Sequence, residues 1–360
     1  MTPHDSRLRS FLIAVLPGDG IGRDVVSSTL EVLATVAERL DGVTFETEEH
    51  SVGAAEFQRS GDPLPEAAVV ACRRADAVLL GAMGLPNVRW PNGKEITPQI
   101  DLRERLDLYA GIRPIFLYHE QDSPLKGYGA GEIDFLIVRE NCEGLFSARG
   151  SPFDLQSEEV TDVLRITRQG AERICRTAFE LAKQRRNHVT LVDKANVLPS
   201  MVYFRSVFDD VASHYPDIET DRVYIDAMAL YLVQRPHAFD VIVTENMFGD
   251  ILSDLAAGLV GGMGMAPSAD VGPNCAVFQP SHGTAPDIAG KGIANPIATI
   301  LSLAMLLEHL QDSEATRGGQ LIREAVAQVL ACPQHRTPDM GGFLSTREIT
   351  DLILDAINQR

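Results

Sequence analysis

The chain has 360 residues, 45% of them hydrophobic and 23% charged, a length beyond what a single core usually accommodates, so two domains, or one elaborate one, are expected. Thirty-two basic against 50 acidic side chains leave a net charge of −18, and that balance argues against nucleic acid or an anionic membrane surface as partner. No apolar run is long enough to span a bilayer, and the opening MTPHDSRLRS lacks the apolar core of a signal peptide, so a soluble cytoplasmic protein is expected. Cys72, Cys142, Cys175, Cys275 and Cys332 are odd in number and show no metal-ligand spacing; they are expected to be reduced thiols.

In chain order, short runs rich in β-branched residues alternate with stretches of helical period, the pattern of an α/β protein. A strand is expected over 11–17, followed by a helix over 22–40, then strands over 43–50 and 76–82. Loop-forming composition fills 84–94 and 119–132, with Trp90, the sole tryptophan, as an anchor for the first of these segments. Strands over 134–140, 188–194, 222–227 and 240–245 then alternate with helices over 167–184, 199–213 and 251–259. After a loop over 261–275, helices are expected over 296–309, 316–330 and 346–358.

Several constellations carry chemistry. Gly18-Asp19-Gly20-Ile21-Gly22 sits between a strand and a helix, but its spacing does not match a dinucleotide fingerprint. Asp250 and Asp254 in NMFGDILSD are four apart, which stacks two carboxylates on one helical face and suits a divalent cation. Spacing alone is equally met by Asp250 capping the helix and Asp254 lying in solvent. Arg103, Arg105 and Arg113 crowd one segment and Arg139 ends a strand; guanidinium forks grip carboxylates, although a surface ion pair would account for Arg105. Lys194 and Asp226 each end a strand, where ligands of open α/β sheets bind. PSHGTAPDIAGKGIANP, residues 280–296, offers backbone amides together with His282, Asp287 and Asn295.

On these motifs the chain resembles the metal-dependent β-decarboxylating dehydrogenases of 2-hydroxy acids: the isopropylmalate, isocitrate, homoisocitrate and tartrate or D-malate enzymes. The likeness runs from LPGDGIG through NMFGDILSDLAAGLVGGMGMAPSA and HGTAPDIAGKGIANP to RTPDMGG. It implies that family's own α/β fold, not a Rossmann fold, with two domains around a central cleft. Residues 1–108 plus 261–360 would bind the cofactor; 109–260 would carry dimerisation, substrate and metal. It implies Arg103, Arg113 and Arg139 as the clasp of the malate carboxylates, and Asp226, Asp250 and Asp254 as ligands of Mg2+ or Mn2+. Lys194 and Asp226 would be catalytic, supplied by the partner subunit of a homodimer with shared active sites. His282, Gly283, Thr284, Ala285, Asp287 and Asn295 would hold the adenosine half of NAD, with the acidic Asp287 disfavouring a 2′-phosphate.

The implied reaction oxidises the C2 hydroxyl, loses the C3 carboxylate as carbon dioxide, and protonates the resulting enolate. Here the chain departs from its relatives: Phe146 stands where a tyrosine normally supplies the proton, and a phenyl ring has none to give. Water or Ser147 would substitute, the reaction would stop at oxidation, or the chain would be a weakly active member of an assembly. Gln279 also replaces a glutamate common near the nicotinamide. Around Gln99 and Ile100, which read the C3 substituent, the composition is mixed. With no added arginine for a distal carboxylate, 3-isopropylmalate stands first. Homoisocitrate, isocitrate, D-malate and tartrate are alternatives, as is a non-catalytic regulatory subunit.

Overall fold

The computed structural model describes residues 8–151, 154 and 156–360. They divide into two compact units: one joins both ends of the chain, to Leu106 and from Gly261, and the other is Asp107–Val260. Chain order begins with β1 (Arg9–Gly18), α1 (Gly22–Ala37), β2 (Val43–Glu49), α2 (Ala54–Ser60), α3 (Glu66–Arg74), β3 (Ala77–Ala82) and α4 (Pro98–Arg105). The middle unit adds β4 (Ala110–Phe116), β5 (Asp134–Glu140), α5 (Arg168–Lys183), β6 (His188–Asp193), α6 (Pro199–Ala212), β7 (Glu219–Tyr224), α7 (Ile225–Gln234), β8 (Val241–Thr244) and α8 (Asn246–Gly258). The chain then returns with β9 (Pro267–Val271), β10 (Ala276–Pro280), α9 (Ile297–His309), α10 (Ser313–Leu330) and α11 (Thr346–Asn358). An α/β fold was expected, and an α/β fold is found.

In the unit that holds both termini the strands run in the order β2-β1-β3-β10-β9, parallel except for the final β10/β9 pair. β3 is buried along its whole length, the mark of a strand covered on both faces. α9 is apolar nearly all round and packs on β9 and β10. α11 opens with a capping box, the Ser345 hydroxyl and the Glu348 carboxylate each satisfying the other's backbone.

The middle unit runs β4-β5-β8-β6-β7, antiparallel only at β4/β5. Strand alternation builds two cores. Leu136, Val138, Val241 and Val243 pack with α5 and α6, whereas Phe135, Ile137 and Ile242 pack with α7 and α8. Both faces being covered, the open ends of β5, β6 and β8 are left to carry polar side chains.

Several expected boundaries move. β7 ends at Tyr224, so Asp226 lies in the first turn of α7 rather than at a strand end. Four of the six residues of β7 are polar and the strand is largely exposed, so the apolar pair at its end misplaces it. α8 starts at Asn246, five residues earlier than expected; its cap is Glu245, whose side chain accepts from the Phe248 N–H, so Asp250 is not a capping residue. The segment around Gln99, Ile100 and Arg103, for which no element was expected, is α4, a short helix opened by Pro98. β4 and β9 were not anticipated because each contains a proline, and β9 lies in the stretch expected to be loop. All five cysteines are free thiols, as expected.

Candidate active site

The side chains of the middle unit gather at the ends of β5 and β6 and along α8. Arg139, 2% exposed near the end of β5, donates from Nη2 to Asn246 Oδ1 at 2.8 Å and from Nη1 to Asp250 Oδ1 at 2.5 Å. Gly249 makes room for it: a Cβ there would stand 2.5 Å from Arg139 Cγ. Asp254 lies one turn beyond Asp250, and its carboxyl is pushed up from the usual aspartate range by burial and by Asp250, with Arg139 and Arg113 pulling it back. The spacing thus brings two carboxylates and two guanidiniums into one electrostatic group. Arg113, on β4, is 4% exposed. The Arg139 guanidinium also stands over the Phe146 ring, 5.4 Å from its centroid.

Lys194, just past β6, donates to Asp226 Oδ1 at 2.5 Å, and this bond holds the Asp226 carboxyl below the usual range. Asp226 is largely exposed there. Hence one chain pairs Asp226 with Lys194 and Asp250 with Arg139. Among the described residues no group of three or more acidic, histidine or cysteine side chains is arranged to hold a metal. What fits a divalent cation is the donor set itself: hard carboxylate oxygens on one helical face, with Asp254 destabilised by its neighbour.

In the terminal unit the Gly18–Gly22 turn and the 282–295 loop form one object. Ile21 N–H donates to the Thr284 carbonyl at 2.8 Å, and Thr284 Oγ1 donates to the Gly84 carbonyl at 2.7 Å. A Cβ on Gly20 would lie 2.1 Å from that Thr284 carbonyl oxygen, so the turn requires glycine. Buried Asp19 accepts from the N–H groups of Ala54, Ala55 and Gly84, tying α2 and the segment after β3 to the same turn. That segment is anchored by Trp90, whose ring meets Phe57 edge-on at 4.8 Å.

A cavity of about 400 Å³ opens beside the turn, lined by Ile21, Met263, His282, Ala285 and Asn295, with Asp339 at its polar edge. Burial pushes the His282 imidazole below its ordinary pKa, and its Nε2 is buried without a hydrogen-bond partner. An apolar wall with an orphaned ring nitrogen fits a planar heteroaromatic group. Gly283 and Asp287 are exposed in the same loop, while Thr284 is turned into the fold. Gln99 and Arg103 lie four apart on α4, and Gln99 Oε1 is buried without a partner. Arg103 donates from Nε to the buried Asp270 at 2.8 Å.

Sequence reasoning missed Asn246, Asp270 and Asp339. Asn246 and Asp270 hold arginines and carry no signal of their own; Asp339 lies in RTPDMGG, which marked the family likeness without a site role being given to any of its residues.

With this geometry in view, a family profile described as Isocitrate/isopropylmalate dehydrogenase matches residues 12–353. The chain belongs to the isocitrate/isopropylmalate dehydrogenase family. It is 41% identical over 366 residues to the 3-isopropylmalate dehydrogenase of Aquifex aeolicus, covering 98% of each chain. It is 45% identical to that of Thermotoga maritima, covering 96% of this chain and 99% of the other. Among solved structures, the isocitrate dehydrogenase from Methylococcus capsulatus matches with a TM-score of 0.87 at 36% identity, covering 97% of this chain and 100% of that one. The enzyme class expected from the motifs, a decarboxylating dehydrogenase, is that of this family.

Proposed function

We propose that the protein is an NAD-dependent, divalent-metal-dependent dehydrogenase that converts 3-isopropylmalate to 2-oxoisocaproate and carbon dioxide. The relatives' names favour that substrate. The observation that carries the reading is buried Arg139, braced by Asn246 and Asp250 with Asp254 one turn away: an anion grip built beside a cation grip, as a metal-chelated hydroxy acid requires.

In this reading Arg103, Arg113 and Arg139 hold the malate carboxylates, and Gln99 and Ile100 face the C3 substituent. Asp250 and Asp254, with Asp226 of a second copy, hold Mg2+ or Mn2+. His282, Gly283, Thr284, Ala285, Asp287 and Asn295 hold the adenosine half of NAD, the exposed Asp287 carboxylate accepting from ribose hydroxyls and repelling a 2′-phosphate. The terminal unit is then the cofactor-binding domain and the middle unit the dimerisation and substrate/metal domain. When bound, NAD would supply a hydride acceptor and the divalent cation a Lewis acid for the substrate's oxidation and decarboxylation. Lys194 of the second copy takes up the C2 hydroxyl proton, which its pairing with Asp226 positions it to hold. Phe146 offers no proton for C3 after carbon dioxide leaves, so water or the Ser147 hydroxyl delivers it.

A homodimer is supported by apolar side chains left in solvent on the middle unit: Val202 and Tyr203 on α6, Leu230 and Val233 on α7, and Ile251 on α8. Incubation with Mg2+, NAD and 3-isopropylmalate should yield NADH and carbon dioxide one to one. Silence with 3-isopropylmalate, homoisocitrate, isocitrate, D-malate and tartrate alike would overturn the assignment. NADH without carbon dioxide would mean that the chemistry halts at the oxo acid for want of a phenol at position 146.

A further inference from the structure

The Asp270 carboxylate serves two donors through one oxygen. Arg103 Nε reaches Oδ2 at 2.8 Å from α4, and Gln279 Nε2 reaches the same Oδ2 at 2.6 Å from β10, the antiparallel neighbour of β9. Asp270 is 1% exposed, Gln279 7% and Arg103 9%, so all three were taken out of water when the chain folded. An ion engaged through Nε leaves the two terminal guanidinium nitrogens for another anion, and a planar fork fixed at its base is aimed before that anion arrives.

We infer that Asp270 and Gln279 are positioning residues that preset Arg103 for the substrate carboxylate, with the neutral amide of Gln279 keeping Asp270 ionised. The inference rests on the assignment of Arg103 as a substrate ligand. Its physical core is charge counting. With an amide at 279, Arg103, Asp270 and Gln279 between them carry one positive and one negative charge at every pH at which aspartate is ionised, and a carboxylate there adds one negative charge. A carboxylate at 279 would lie within hydrogen-bond distance of Asp270; two such groups share a proton at low pH and repel when both ionise. The surplus negative charge would then cancel the pull of Arg103 on a substrate carboxylate. Residue 279 thereby decides whether substrate affinity depends on pH, although it acts on Arg103 only through Asp270.

The test is calorimetric binding of 3-isopropylmalate with Mg2+ to the full-length protein between pH 6 and pH 9, alongside thermal melts. Relative to wild type, Gln279→Glu should bind nearly normally at pH 6 and lose roughly tenfold or more in affinity by pH 9, one ion pair being the difference. Asp270→Asn should weaken binding at every pH by about tenfold, with Asp270→Glu restoring part of it. Should Asp270→Asn fail to fold, Gln279→Glu decides alone. Equal pH slopes for Gln279→Glu and wild type, or unaltered affinity in a folded Asp270→Asn, would overturn the inference. Arg103→Gln separates the layers: if that variant binds like wild type, the assignment of Arg103 has failed; if it binds weakly while Asp270→Asn does not, only the positioning role has failed.

Discussion

Arg103 and Arg139 are both buried guanidiniums paired with an aspartate, yet their partners differ. Asp270 is sealed, 1% exposed and shared with Gln279, whereas the Asp250 side chain is 48% exposed and lies one turn from Asp254. A sealed carboxylate that loses its arginine cannot turn to water, and leaving its charge in a low dielectric is costly. A half-open carboxylate can exchange its arginine for a cation at little cost. Under the proposed function the first pair would be scaffold for a binding group and the second a site that changes partners during turnover.

The sharpest way to break that contrast is in activity. Arg139→Ala removes the charge-assisted hydrogen bonds to Asn246 and Asp250 together with the guanidinium proposed to hold the reacting acid, so kcat/KM should fall about 10³-fold, read in the NADH assay. Stability should order the pairs the other way. Arg103→Met strands buried Asp270 and should cost about 3–5 kcal/mol, seen as a large drop in the urea midpoint, whereas Arg139→Met should cost about half as much because Asp250 can turn to water. Equal losses would sink the distinction.

A pH measurement sharpens it further. Glu140, at the end of β5 next to Arg139, is pushed up to about 7 by burial, despite accepting from the Cys142 and Glu143 N–H groups. Its folded-state pKa exceeds the unfolded one, so the unfolded chain ionises first and stability should decline from about pH 4.5 to about pH 7, then level off. Glu140→Gln should flatten that decline and recover about 2–3 kcal/mol at pH 8, measured as unfolding free energy against pH. Smallest of all, Phe146→Tyr adds a phenol over Arg139 without changing the packed volume much. It should raise kcat by a few-fold and leave the melting temperature within about 1 °C. A fall in kcat would mean that the phenyl ring is needed for the packing of Arg139.

How legible this was in the sequence followed from the range of each interaction. Periodicity located the long helices and the buried strands β1, β3, β5, β6 and β8 but not β9 and β10, which are as buried, and α11 was bounded to the residue because its capping box is local. The four-residue spacing of Asp250 and Asp254 survived an error in where α8 begins: the expected helix held only Asp254, and the helix that starts at Asn246 takes in both. What stayed hidden depends on pairing across long separations. Asp270 lies 167 residues from Arg103, in a segment with two glycines and two prolines nearby that had no strand signature. Asn246 is 107 residues from Arg139 and looks like any helix-start asparagine. Asp226 was placed at a strand end because apolar β7 residues were counted without knowing that this strand lies at an edge.

The ordering of β3 beside β10 bears on how the polypeptide is made. Ribosomal synthesis releases Ala77–Ala82 nearly 200 residues before Ala276–Pro280, so for something like 10–40 s a fully apolar strand has no neighbour on one side. Such an edge invites intermolecular pairing, and holdase capture of nascent chains should concentrate on fragments ending between these two strands. The middle unit is encoded without interruption, and the corresponding wait there is about half as long: β5 precedes its neighbour β8 by roughly 100 residues.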